Sequence, residues 1–131
     1  MKKIFIHSLL AGALAGIASL VYNHFYCAAL MVDFSKVIGS AAVLGSSVFG
    51  TVIAGLGYYV LWRKWGVKVD VWFNAIFILL SLISFMGPLT ARLPLEVLSP
   101  ELFVGATIPM HLFPMIFWFA LKPIFGQETK G

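Results

Sequence analysis

Gly105-Ala106-Thr107-Ile108-Pro109-Met110-His111-Leu112-Phe113-Pro114 places two prolines and a histidine inside an apolar run from Leu102 to Leu121. At about 1.5 Å per residue that run is long enough to cross a bilayer. Lipid offers no water to unpaired backbone groups. The carbonyls that Pro109 and Pro114 leave without helical partners, at about Gly105 and Met110, therefore need donors from elsewhere in the protein. An ionisable ring at mid-span, His111, needs a polar partner or a water pocket for a related reason. The stretch predicts a transmembrane helix kinked at Pro109 and Pro114. It also predicts that the other spans are arranged around this one, with His111 facing them and supplying a donor.

Outward from this stretch, Ser99-Pro100-Glu101 reads as a helix start, with serine as cap, proline at the first position and an acid in the first turn. Lys122-Pro123 reads as its end, so this span covers about residues 101–121, and Gly126 to Gly131 form a polar tail. Thr107, His111, Pro114 and Trp118 share one face. Upstream, Ala91 to Leu98 read as a loop. A span over about residues 71–90 precedes it, with Asn74, Ile78, Ser81, Phe85 and Pro88 on one face and a kink or end at Gly87-Pro88. Arg63 to Asp70 read as a tight basic turn. Before that turn, a span over about residues 37–62 carries Ser40, Ser47, Gly50, Thr51, Ala54 and Gly55 on one broad side, and Ser35 or Asp33 can cap its start.

The chain begins Met1-Lys2-Lys3 before an apolar run. The run continues to about Val32, far past the core of a signal peptide, so it reads as an uncleaved first span over about residues 4–32. Ser8, Gly12, Gly16, Ser19, Asn23 and Cys27 recur at helical spacing within a sector of about 100°. Gly12 and Gly16 form the small-xxx-small pattern that lets helices approach closely. Gly12, Gly16, Gly50 and Gly55 are the expected packing positions, joining the first two spans as a hairpin. His7, off this face, is expected to reach the interface.

The whole is an all-α polytopic membrane protein, an antiparallel four-helix bundle in a single domain. Composition agrees: 61% of the 131 residues are hydrophobic and 11% charged, against about 25% charged in soluble domains. The single Cys27 excludes an intrachain disulfide and any CxxC motif. With both termini inside, Lys2, Lys3, Arg63, Lys64, Lys68, Lys122 and Lys130 are cytoplasmic, and only Lys36 and Arg92 face out. Trp62, Trp65, Trp72 and Trp118 all fall at the predicted cytoplasmic interface. A bacterial inner membrane is the simplest location. Basic residues at span ends, rather than on one stripe, argue against a nucleic-acid partner; the lipid bilayer is the expected surrounding.

Asp33, Asp70, Glu96, Glu101 and Glu128 all fall at span ends, in loops or in the tail, which argues against a proton-coupled pump. Small multidrug exporters depend on an acid embedded in the first helix, and none is present. There is no glycine-rich phosphate loop, HExxH motif or Ser-His-Asp set, so the chain reads as non-enzymatic, without cofactor or metal. The sharpest cluster is a polar pocket of Asn23, His24, Thr107 and His111, since His24 and His111 fall at similar depths. Two roles follow: an accessory protein packing with itself or a larger membrane partner, or an oligomeric small transporter or binding protein using that pocket.

Leu10-Ala11-Gly12 with Asn23, Asp33-Phe34, Ser46-Ser47 with Ala54, Pro88-Leu89-Thr90 and Met110-His111 together resemble a family of small four-span bacterial membrane proteins, defined only as a domain of unknown function. The resemblance implies the architecture and brings no activity with it.

Overall fold

The computed structural model describes residues 2–97 and 99–125; the expected polar tail, with Glu128 and Lys130, lies outside them. The described residues form helices α1 (Lys2–Leu30), α2 (Ser40–Trp65), α3 (Val69–Ile83), α4 (Met86–Thr90) and α5 (Leu102–Phe125), with a single 3-10 turn at Gly66–Lys68 and no strand. Among the described residues, four segments are long and apolar enough to cross a membrane: α1, α2, α3 with α4, and α5. Their surfaces suit lipid, since Phe25, Phe49, Val71, Trp72 and Ile124 are among many large apolar side chains left uncovered.

The element ends differ from the expected ones for local reasons. The first helix stops at Leu30 rather than Val32. Met31 takes a left-handed conformation at φ 53°, and Val32 N–H reaches back to Cys27 O at 3.0 Å, the bond of a Schellman ending made here without the usual glycine. The second helix starts at Ser40, later than Val37, with Gly39 at the cap position and no side-chain cap. Asp33 is occupied elsewhere: its Oδ1 accepts Ser35 N–H at 2.8 Å. The turn winds instead around Phe34, whose carbonyl accepts the Val37 and Ile38 N–H groups and whose ring is fully buried. Helix α2 then continues through Arg63 and Lys64 to Trp65, so most of the expected basic turn is helical. Gly66, at φ 57°, ends it by donating to Trp62 O.

Between α3 and α4 the helix is interrupted at Ser84–Phe85. Pro88 has no N–H for Ser84 O, and its ring crowds that carbonyl. Helix α5 starts one residue after Glu101. Ser99 adopts φ 54° and caps with its carbonyl, which accepts Leu102 N–H at 3.1 Å, and not with its hydroxyl. Helix α5 runs unbroken through Pro109, Pro114 and Pro123. Lys122-Pro123 fails to end it because packing outweighs one lost hydrogen bond: Phe125, beyond the proline, stacks on His7 at 5.4 Å.

The hub is α1 and not the proline-bearing α5. Its most extensive contacts are with α2 and α5, whereas α3 touches α2 and α5 far less. Ser8, Gly12 and Gly16 meet Gly55, then Thr51 and Val48, then Leu44, so α1 and α2 run in opposite directions. His7, Tyr22 and Tyr26 meet Trp118, Phe113 and Leu102 in the same reversed order on α5.

Two apolar cores close the two ends. At the end carrying Arg63 and Lys64, Ile4, Ala11, Tyr58, Val69, Phe73 and Trp118 pack together. At the other, Phe34 plugs against Phe103 and Ala106, its ring edge-on to Phe103 at 5.6 Å. Trp118 is 1% exposed, a core residue rather than the interface anchor its position suggests. Trp65 and Trp72 remain exposed.

Candidate functional site

The small residues of α1 bring α2 so close that a Cβ on Gly12 would strike Thr51 Oγ1 and lie 2.6 Å from Val48 Cα. One on Gly16 would lie 3.1 Å from Leu44 Cα, and one on Gly55 would strike Ser8 Oγ. At Gly50 the same atom would meet nothing within 4 Å. Gly50 is grouped with the packing glycines by its spacing, but it borders open space. Gly105 is a contact the spacing did not flag: the Tyr26 hydroxyl lies against it.

A second face of α1, roughly 90° round the helix, carries polar side chains onto carbonyls of α5. Tyr22 donates to Gly105 O at 2.9 Å, Tyr26 donates to Leu102 O at 2.9 Å, and His7 Nε2 lies 2.9 Å from Trp118 O. A carbonyl only accepts, so His7 carries its proton on Nε2. His7 is 5% exposed and stacks on Trp118 with centroids 4.3 Å apart; it is a core residue and does not reach out to the interface. Gly105 O is the carbonyl that Pro109 deprives of its helical donor. The donor that answers it is the phenol of Tyr22, where the sequence pointed to the ring of His111.

At the basic end, Tyr58 donates to Asp70 Oδ1 at 2.7 Å. Lys122 Nζ lies 3.1 Å from the same oxygen and donates to Asn74 Oδ1 at 3.3 Å. These bonds tie α2, α3 and α5 together, so Asp70 does more than mark the end of a span. At the opposite end Lys36 and Glu96 pair at 3.2 Å, both about three-quarters exposed, an arrangement worth little by itself. There the N–H of Ser35 holds the Asp33 carboxyl below the usual carboxylate range.

Between the two cores, α2 separates from α3 and α5 and leaves a cleft of about 660 Å³. Thr107, His111 and Pro114, one face of α5, line it together. Opposite are Ser46, Ser47 and Gly50 of α2, with Ser81 of α3 and Ser84 just after it; Ser19 of α1 also lines it. The Phe85 ring stands edge-on to His111 at 6.5 Å. Of the four residues expected to form a polar pocket, the cleft unites Thr107 and His111. Asn23 accepts from Cys27 Sγ at 3.6 Å along its own helix. His24 is exposed and lies edge-on to Phe25 at 5.8 Å. Among the described residues no three His, Cys, Asp or Glu side chains are grouped so as to hold a metal ion.

No protein-family model, curated protein or solved structure matches the chain, so the resemblance to the four-span family stands on the quoted residues alone.

Proposed function

We propose that the chain is a non-enzymatic integral membrane protein, an antiparallel bundle of four transmembrane helices with both termini on the cytoplasmic side of a bacterial inner membrane. In this reading it is an accessory protein that works by lateral packing with itself or with a larger membrane partner. The observation that carries the reading is how its polar groups are used. His7, Tyr22 and Tyr26 tie α1 to α5, and Tyr58, Asp70, Asn74 and Lys122 tie the basic ends. Polar side chains that hold helices together serve a scaffold. Meanwhile Phe49, Leu56, Val60 and Gly57 on α2 remain uncovered, a face free for lateral contact.

Two measurements test this. In a Cys27→Ala background, Glu96→Cys should react in whole cells with a membrane-impermeant thiol reagent and Lys64→Cys should not; the reverse result overturns the orientation. A photo-crosslinking amino acid at Phe49 should give one discrete protein adduct in native membranes. Adducts with lipid alone would count against the accessory role.

The alternative, a small transporter or binding protein centred on His111 with Asn23 and His24, has support for part of its pocket. The cleft favours it through Thr107 and His111, while Asn23 and His24 are engaged elsewhere.

A further inference from the structure

We propose that the recess between α1 and α2 at the basic end of the bundle binds an anionic phospholipid, its phosphate held by Lys2 and Arg63 and an acyl chain lying along Phe5 and Val52. This goes beyond the accessory role and rests on membrane insertion with the basic end cytoplasmic.

The recess joins charge to hydrocarbon in the order that a lipid needs. Lys2, Phe5 and Ser8 of α1 line it with Tyr59, Leu56 and Val52 of α2. The helices run antiparallel here, with Ser8 against Gly55, so Lys2 and Tyr59 lie at the outer end and Ser8 and Val52 at the inner one. Arg63, one turn beyond Tyr59, brings its guanidinium over that ring, 5.9 Å from the centroid. Lys2 and Arg63 are both exposed. Inward of them the walls are apolar, with Phe5 and Leu56 open to the surroundings. The Ser8 hydroxyl is already engaged, donating to Ile4 O at 2.8 Å.

Charge decides the occupant. Among the described residues, Lys2 and Arg63 form no ion pair. Asp33, Glu96 and Glu101 belong to the opposite end, and Asp70 is held by Tyr58 and Lys122. A zwitterionic lipid carries its own cation beside its phosphate, so two more cations attract it weakly. A neighbouring helix would present its own cytoplasmic end, where Lys and Arg are in excess, and would set like charge against Lys2 and Arg63. An anionic headgroup supplies the missing charge, and the guanidinium offers paired N–H donors to its phosphate oxygens. Val52 and Tyr59 stand about 60–80° round α2 from Phe49, so a lipid here is compatible with a partner on the lateral face.

The test uses the full chain in phosphatidylcholine nanodiscs containing a little phosphatidylglycerol with a diazirine in one acyl chain, and the matching phosphatidylcholine probe as control. Adducts of the anionic probe should map by mass spectrometry to Phe5 and Val52 and exceed those of the control about tenfold. Lys2→Gln and Arg63→Gln, both on exposed side chains, should each lower that labelling about fivefold, equivalent to about 1 kcal/mol. Lys68→Gln removes the same charge outside the recess and should change labelling less than about twofold. Val52→Trp should suppress the adduct on Phe5 without lowering the unfolding temperature. Equal labelling by the two probes, or an equal loss with Lys68→Gln, would overturn the proposal in favour of bulk lipid or diffuse attraction. A photo-crosslinking amino acid at Val52 should give lipid adducts in native membranes; one discrete protein adduct there would overturn it in favour of a partner helix. A failed site leaves a chain embedded in the nanodisc that labels alike with both probes, whereas a chain that does not insert never enters the nanodisc. Thiol labelling of Glu96→Cys and Lys64→Cys reads the orientation separately.

Discussion

Helix α1 meets its two neighbours by different means. Against α2 it presents serine and glycine, and the helices touch through backbone and short side chains, as at Gly12 with Val48. Against α5 it presents two phenols and an imidazole that reach across to carbonyls. The first seam depends on the absence of side-chain bulk, so it is intolerant of added atoms. The second depends on individual hydrogen bonds, so it should lose stability in small, separable steps. One helix can thus hold two partners by dispersion on one face and by polar ties on the next.

Bulk in the close seam should break the comparison most severely. Gly12→Leu or Gly55→Leu should cost about 3 kcal/mol or prevent folding, because the atoms in the way at Gly12 include Val48 Cα rather than a mobile chain end. Leu14→Ala, on the exposed side of α1, should cost under about 1 kcal/mol. Denaturation in detergent compares them, and equal losses would remove the proposed asymmetry. Next comes His7, where stacking and a hydrogen bond coincide. His7→Ala should cost about 2 kcal/mol, and His7→Phe, which keeps the stack, about half that.

A finer test concerns the phenols. Tyr22→Phe leaves Gly105 O without its proline-denied donor and should cost about 1 kcal/mol, against about 0.5 kcal/mol for Tyr26→Phe. Leu102 O still has Ala106 N–H available in the helix. Pro109→Ala would restore a donor to Gly105 O. In a double-mutant cycle it should therefore shrink the cost of Tyr22→Phe but not that of Tyr26→Phe; a purely additive cycle would refute the capping role. The smallest effect is at Asp33, outside both seams. Its folded titration midpoint lies below the ordinary value because ionised Asp33 accepts the Ser35 N–H. The stability this adds is therefore present above the ordinary aspartate pKa and is lost as pH falls through the lower folded value. Titration followed by nuclear magnetic resonance, with Asp33→Ala as the blank, should show that depressed midpoint. A midpoint at or above the ordinary one would dismiss the turn's contribution.

Much of this was legible in residue order. The apolar runs and charge positions outlined four segments, and the spacing of Ser8, Gly12 and Gly16 picked out the face that α2 covers. Pro109 announced that Gly105 O needed a donor. The identity of the donor was not legible, because it depends on which helix lies beside α5 and on the reach of a phenol. His111, six residues along and about 240° round the same helix, has no direct path to that carbonyl. His7 and Trp118 looked like interface residues by position along the chain, and only the crossing of α1 with α5 buries them together. Met31 and Ser99 hid two boundaries, since neither is the glycine or asparagine that usually announces a left-handed residue. The cleft was half legible: Thr107, His111 and Pro114 share a helical face in any reading, but from the first helix the sequence offered Asn23 and His24, whereas the residue that lines the cleft is Ser19, on the face assigned to packing.

The ties between α1 and α5 join residues 76, 83 and 111 positions apart, the longest nearly the full span of the described chain. A ribosome adding about 5–20 residues per second needs roughly 4–20 s to make that much polypeptide. For that interval the phenols and imidazole of α1 have been synthesised and their acceptors have not. In the membrane reading proposed above, the newborn first helix would carry these polar groups unpaired until the last helix arrives. Truncation before α5 should then shorten the lifetime of the protein in cells, as pulse-chase labelling would show.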